Sequence, residues 1–175
     1  MAKISNTAAY PSISNLDSAD YLVLTDAENE LKTKTATIEQ IQTLFGIDTL
    51  VAKVTVNTGS LLTLGNTSIT LIAAPGANKV IDIISISQYL DAGTTPYQFG
   101  GVLEVKIGAT VFGTLSAQSA NFATDLVSKI ETGGTTKVIE QNTAVTLETA
   151  ANPSQGNGTM YFNIFYRVLN VGTSF

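Results

Sequence analysis

The segment 68–90 constrains the fold of this chain more than any other, because it holds two apolar runs separated by a Pro-Gly pair. Proline and glycine supply the backbone angles of a turn, so the segment predicts a strand, a turn and a longer second strand. In the second run, Ile81 and Ile83 share one face. Ile84 and Ile86 share the other. This one-residue slip indicates a β-bulge or a strand buried on both faces, in the middle of a sandwich.

Beyond residue 49 the sequence consists of short apolar segments separated by turn residues. In the last segment the even positions from Met160 to Val168 form one continuous apolar face, as in a strand with one side against a core. Residues 117–124 fit either a short helix or an irregular crossover. The predicted strands are Leu50–Asn57, Ser60–Leu64, Ser68–Ala73, Lys79–Leu90, Val102–Ile107, Thr110–Leu115, Asp125–Glu131, Thr136–Gln141, Ala144–Thr149 and Thr159–Asn170.

This succession of short strands and turns predicts a mainly β fold. An antiparallel β-sandwich is expected over residues 49–175, with a jelly roll as its commonest closed form at this size. Threonine is frequent in the segment, which suits a pleated and half-buried surface. No helix longer than three turns is expected after residue 50.

The first 48 residues carry a different pattern. Residues 1–20 are either an extended arm or a loose terminus. Two short strands follow, at 21–25 and 31–35, with an acidic turn between them. Thr37 and Gln40 have the spacing of a capping box at the start of a short amphipathic helix. We therefore expect a separate module at residues 1–48, made of an arm, a hairpin and one helix.

This N-terminal module has more apolar side chains than it can bury by itself. A lone hairpin is marginally stable in water, so the module must pack on its own sandwich or order itself on another protein. We predict that it anchors the chain to a larger particle. The predicted anchoring residues are Ile13, Leu16, Leu22, Leu24, Ile38, Ile41, Leu44 and Phe45.

The residue types that most enzymes use at neutral pH are scarce. The chain has no Cys and no His, so it lacks thiol chemistry, the usual general base and the commonest transition-metal ligand. No serine has the spacing of a known nucleophile motif, and acidic residues such as Glu104 and Glu148 are scattered. We predict no catalytic residue, no metal site, no cofactor and no enzymatic activity.

Charge and hydropathy narrow the choice of partners. Charged residues are 13% of the chain and mean hydropathy is +0.23, which favours an oligomer that covers part of its surface, with a monomer that has a large core as the alternative. A net charge of −5 with a single Arg argues against nucleic acid. No apolar run reaches the roughly 20 residues of a membrane span, and the N-terminus lacks a signal-peptide pattern. Synthesis in the cytoplasm without a membrane partner is expected.

Five aromatic residues have two interpretations. They either line a groove for a sugar or belong to the core and to subunit contacts, and the second is commoner in β-sandwiches. The residues are Tyr89, Tyr97, Phe99, Phe112 and Tyr161.

Two parts of the sequence resemble bacteriophage virion proteins. Residues 12–25 (SISNLDSADYLVLT) and 31–41 (LKTKTATIEQI) resemble the modules that open many phage fibre and tail proteins. The remainder resembles a small β domain of phage virion proteins. The matching segments there are 62–80, 95–97, 103–105, 151–159 and 165–168.

The resemblance implies a structural protein located in the virion and attached to it by its N-terminal part. Similar proteins are often trimeric, so a homotrimer is expected, in contact with other virion proteins such as the major capsid protein. The absence of long shaft repeats favours a head fibre or capsid decoration protein. The alternative is a tail fibre or receptor-binding protein whose sandwich binds a carbohydrate of the host surface. The resemblance carries over no individual binding residue.

Overall fold

The structure is a computed structural model, and it describes residues 21–26, 32–38, 40–41, 49–130 and 139–172. The chain divides into two compact units, Met1–Asp48 and Thr49–Phe175. Within the described ranges, no helix is long and apolar enough to cross a membrane.

The first unit contains an antiparallel hairpin followed by a helical start. Strands β1 (Tyr21–Asp26) and β2 (Lys32–Thr37) pair along their full length. The Thr37 N–H donates to Gln40 Oε1 at 2.9 Å, and the Gln40 N–H donates to Thr37 Oγ1 at 3.1 Å. These two reciprocal bonds confirm the predicted capping box, in which each side chain satisfies a backbone donor that the helix leaves open.

The second unit consists of two four-stranded antiparallel sheets, and the predicted mainly β sandwich is confirmed. Sheet I has the order β3-β10-β5-β8, and sheet II has the order β4-β9-β6-β7. Two short helices, α1 (Thr58–Leu62) and α2 (Ala117–Ala120), lie between strands. The strands are β3 (Leu50–Val56), β4 (Ile69–Ile72), β5 (Lys79–Asp91), β6 (Leu103–Ile107), β7 (Thr110–Leu115), β8 (Leu126–Ile130), β9 (Val145–Thr149) and β10 (Thr159–Asn170).

The strand pairing is that of a jelly roll. Among the eight strands of the unit, the first pairs with the last, the second with the seventh, the third with the sixth and the fourth with the fifth. One long hairpin rolled up on itself produces this nested pairing, and rolling it distributes the four pairs over two facing sheets. The jelly-roll expectation therefore holds at the level of strand order.

The core lies between the two sheets. Leu103, Val105 and Ile107 of β6 are buried on one side, and Met160, Phe162 and Ile164 of β10 are buried on the other. These are the inward positions that alternation predicts. Each such side chain contributes about 1.5–3 kcal/mol by leaving water.

The slip in the β5 sequence is a β-bulge. In the register with β10, Phe165 lies opposite Ser85 and Tyr166 lies opposite Ile83, so Ile84 is an extra residue. Ile84 is exposed, whereas Ile83 and Ile86 are both buried. The bulge thus returns Ile86 to the core side, and the alternative of a strand buried on both faces is wrong.

One predicted strand is a helix. Residues 58–62 form α1 instead of the strand predicted at Ser60–Leu64, because the Asn57 side chain accepts a hydrogen bond from the Ser60 N–H at 3.0 Å and caps the helix. Leu61, a residue of this helix, is buried. Of the strand predicted at Thr136–Gln141, residues 139–141 are not in a strand, and the rest lies outside the described residues.

Two loops are joined by hydrogen bonds at one end of the sandwich. They are 92–101, after β5, and 151–158, before β10. Asn157 Oδ1 accepts from the Thr94 and Thr95 N–H groups at 3.0 and 2.7 Å. The buried Tyr97 hydroxyl donates to the Gly158 carbonyl at 2.6 Å. Gly156 has φ +139° and lies against the Tyr97 ring.

Candidate functional site

The predicted anchoring residues are only partly covered by the structure. Leu22 in β1 is 40% exposed. Leu24 lies in the same strand, and Ile38 and Ile41 are half-buried beside the capping box. The structure thus presents at least one apolar side chain of the hairpin to solvent. Ile13, Leu16, Leu44 and Phe45 lie outside the described residues.

The five aromatic candidates separate into two groups. Tyr97, Phe99 and Phe112 are buried, so the interpretation of these three as groove residues is wrong and the core interpretation holds. Tyr89 and Tyr161 are 37% and 41% exposed. Their rings stack with centroids 5.7 Å apart and planes at 24°, the offset geometry that aromatic pairs favour.

The two exposed tyrosines belong to an ordered outer face of sheet I. Directly opposed residues run across its four strands in rows, and two of these rows differ in chemistry. The aromatic row is Thr55, Tyr161, Tyr89 and Val127, and the lysine row beside it is Lys53, Asn163, Ser87 and Lys129.

A groove of about 290 Å³ lies over the aromatic row and over the lysine row as far as Ser87, with Lys129 outside its lining. The residues that line it include the two tyrosines, Lys53, Thr55, Ser87, Val127 and Asn163. Its volume is at the lower end of small-molecule sites. We call it the tyrosine groove.

Asn163 has an unmet hydrogen bond in this groove. Its Oδ1 atom is buried and has no hydrogen-bond partner within the part of the chain that the structure describes. Unmet polar atoms of this kind are uncommon in folded proteins, because each costs about 1–3 kcal/mol. A buried water is the usual partner of such an atom.

Asp125 fixes the orientation of the Tyr89 ring. Its Oδ2 accepts from the Tyr89 hydroxyl at 3.0 Å, and its Oδ1 accepts from the Ala92 N–H at 3.1 Å. The hydrogen bond to the carboxylate raises the pKa of the Tyr89 hydroxyl. The tyrosine therefore stays neutral and its ring is held before any ligand arrives.

The tyrosine groove includes residues that sequence reasoning did not select. Alternation along the last strand already put the even positions in the core, so it also put Tyr161 and Asn163 outward on the same face. Lys53 and Ser87 join them only through strand register, which pairs β3 and β5 with β10. The alternation of apolar and polar residues along one strand does not predict the order of the strands in a sheet.

A second polar cluster lies on the outer face of sheet II. Glu104 and Glu148 are opposed in the β6–β9 register, and Lys106 Nζ bridges their carboxylates at 3.1 and 2.9 Å. The hydrogen bond from Lys106 lowers the pKa of Glu148 below its ordinary value of 4.5. The bridging lysine favours the ionised form of Glu148, and the three side chains form an ion-pair network. Among the described residues, no group of three or more acidic side chains could hold a metal ion.

Replacing Lys106 with methionine is expected to reduce the acid sensitivity of the fold. Because the folded pKa of Glu148 is depressed, the stability from this pair is present above pH 4.5 and is lost as the pH falls through the lowered pKa. The partly exposed pair contributes below about 1 kcal/mol. Urea titrations from about pH 5 to pH 3 should give a shallower loss in Lys106→Met. Lys79→Met, at an exposed lysine, should match the wild type; equal slopes for all three proteins would contradict the prediction.

Comparison with solved structures gives similarity at a low level. No family model matches the sequence, and no curated protein matches it. A chain of a solved structure described as "Cyanophage Pam1 capsid asymmetric unit" is similar with a TM-score of 0.47 and 21% identity, over 69% of this chain and 84% of that chain. A similarity at this level identifies neither a family nor a function.

Proposed function

We propose that this chain is a structural protein of a bacteriophage virion, a trimeric head fibre or capsid decoration protein attached through residues 1–46. The observation that carries the proposal is the division of the chain into a hairpin-containing N-terminal unit and a jelly roll. This is the order of parts that the sequence resemblance to phage fibre and virion proteins implies.

Each part supports the proposal separately. Jelly rolls are used in viral capsids and in lectins, which is an analogy at the level of fold. The first unit exposes Leu22 and has half-buried isoleucines at positions 38 and 41. Apolar side chains left open on a small unit are typical of a segment that docks on a partner. In a trimer, three weak contacts add through effective concentration.

The tail remains the alternative location. A tail fibre or receptor-binding protein would have the same order of parts, and the tyrosine groove is the observation that favours it. A role without enzymatic activity or cofactor is part of the proposal in both locations. The chain would be made in the host cytoplasm, join the particle beside other virion proteins such as the major capsid protein, and contact neither nucleic acid nor a membrane.

Deleting residues 1–46 tests the attachment. The jelly-roll unit has its own core, so it should stay folded and trimeric while failing to join particles. The measurement is copy number per purified virion after complementation of a phage that lacks the gene. Incorporation at the normal copy number would show that these residues are not the anchor.

A point variant separates the anchor from general surface effects. The double variant Ile38→Asp, Ile41→Asp should reduce incorporation at least about tenfold, which corresponds to 1.4 kcal/mol of binding, because two apolar contacts become charged. Leu50→Asp is the matched control, since Leu50 is an exposed apolar residue of the second unit. Light scattering should give a trimer mass for the purified wild type, the double variant and Leu50→Asp. Equal incorporation of the double variant and the control would contradict the proposal.

A further inference from the structure

The outer face of sheet I has the composition of a ligand site, with two chemistries in adjacent rows. The stacked tyrosines form a flat apolar platform, and the lysine row presents an amide, a hydroxyl and two ammonium groups beside it. Neighbouring strands lie about 4.8 Å apart, so four strands span about 14 Å. This width accommodates a ligand longer than one small ring.

The geometry points to an acidic saccharide as the ligand of the tyrosine groove. A sugar ring is apolar on its C–H face and carries hydroxyls around its edge. The Tyr89–Tyr161 platform offers a surface for the first, and the polar side chains of Ser87 and Asn163 line the groove for the second. This inference names the ligand class for the receptor-binding alternative, and it does not rest on the attachment of the first unit to a virion.

The lysines select an acidic ligand over a neutral one. Lys53 and Lys129 are exposed, and neither forms an ion pair with a residue in the described ranges. Lys53 lines the groove, and Lys129 lies at the opposite end of the same row, in a chain of net charge −5. A carboxylate or sulfate on the sugar would pair with them at a surface that otherwise repels anions.

Charge also argues against a two-fold-related second copy of the chain on this face. A two-fold pairing places the same surface on both partners. The lysine row of one copy would then meet the lysine row of the other, and the row contains no acidic residue to separate them. Like charges brought together in an interface oppose association.

The test is binding of defined oligosaccharides to the full-length protein by isothermal titration calorimetry. The acidic probes are tetrasaccharides of galacturonate, guluronate, hyaluronan and chondroitin sulfate, each compared with its carboxyl-reduced form. We expect at least one acidic probe to bind, to lose about tenfold in affinity on carboxyl reduction, and to bind more weakly as salt rises.

Variants assign the binding to the groove. Tyr161→Ala should weaken the acidic probe at least about tenfold, and Lys53→Gln with Lys129→Gln should bind the acidic and reduced probes equally. Phe122→Ala is the matched control, because Phe122 is 42% exposed and is absent from the groove. All of these side chains are exposed, and a thermal melt of each variant verifies folding.

Three results would overturn the inference. The first is that none of the four acidic probes binds at millimolar concentration. The second is binding that Tyr161→Ala and Phe122→Ala change equally. The third is a wild-type oligomer that dissociates in Tyr161→Ala, measured by sedimentation velocity, which would show that the face is covered by a second copy.

Discussion

Replacing Gly156 with alanine is expected to lower the free energy of unfolding of the jelly-roll unit by about 3 kcal/mol or more. Gly156 has φ +139°, and a Cβ atom there would lie 2.1 Å from Tyr97 Cδ1. The first feature strains any residue with a side chain. The second forces the buried Tyr97 ring to move, which disturbs its hydrogen bond to the Gly158 carbonyl. Urea unfolding followed by tyrosine fluorescence measures the loss.

Gly76→Ala separates the two causes. Gly76 also has a positive φ, +97°, but a Cβ atom there meets nothing within 4 Å. Its loss should be limited to backbone strain, about 1–3 kcal/mol. Gly100→Ala, with open space and no positive φ, should be close to neutral. If Gly156→Ala and Gly76→Ala lose the same free energy, the contact with Tyr97 contributes nothing.

Replacing Gln88 with methionine is expected to stabilise the same unit by about 1–3 kcal/mol. Gln88 is fully buried on the inner side of β5, and neither its Nε2 nor its Oε1 has a hydrogen-bond partner in the described part of the chain. Methionine has a similar length and flexibility but buries no amide. The free energy of unfolding should therefore rise, together with the melting temperature.

Gln88→Ala is the control for volume. It removes the same unmet amide but leaves a cavity, whose cost offsets the gain. We expect it to be less stable than Gln88→Met. A decrease in stability for Gln88→Met would contradict the prediction and show that the amide is satisfied, for example by a buried water.

The sequence determines the parts of this fold that depend on a single strand. Alternation alone put Met160, Phe162 and Ile164 in the core, and the slip at Ile84 gave the bulge as one of two alternatives. Alternation gave the wrong element at residues 60–64, because a run of leucines there fits a strand or a helix equally well. The hydrogen bond from the Ser60 N–H to the Asn57 side chain decides for the helix there.

The tyrosine groove depends on pairs of strands, so it was only partly predictable. Tyr89 and Tyr161 were candidates because of their type, and Tyr97 was an equal candidate on that ground. Their separation into exposed and buried rings follows from the β5–β10 register and from the loop that contains Tyr97. The burial of Gln88 has the same origin, because the bulge sets which β5 residues face the core.

The nested strand pairing gives the second unit two ends with different uses. β3 starts at Leu50, opposite Tyr166 near the end of β10, so the chain enters and leaves at one end of sheet I. The joined loops 92–101 and 151–158 lie at the other, where Asp91 is opposite Thr159. A reporter protein fused after β10 would therefore lie close to the start of β3. A foreign peptide for display is better inserted beside the exposed Gly100, at the end remote from both connections.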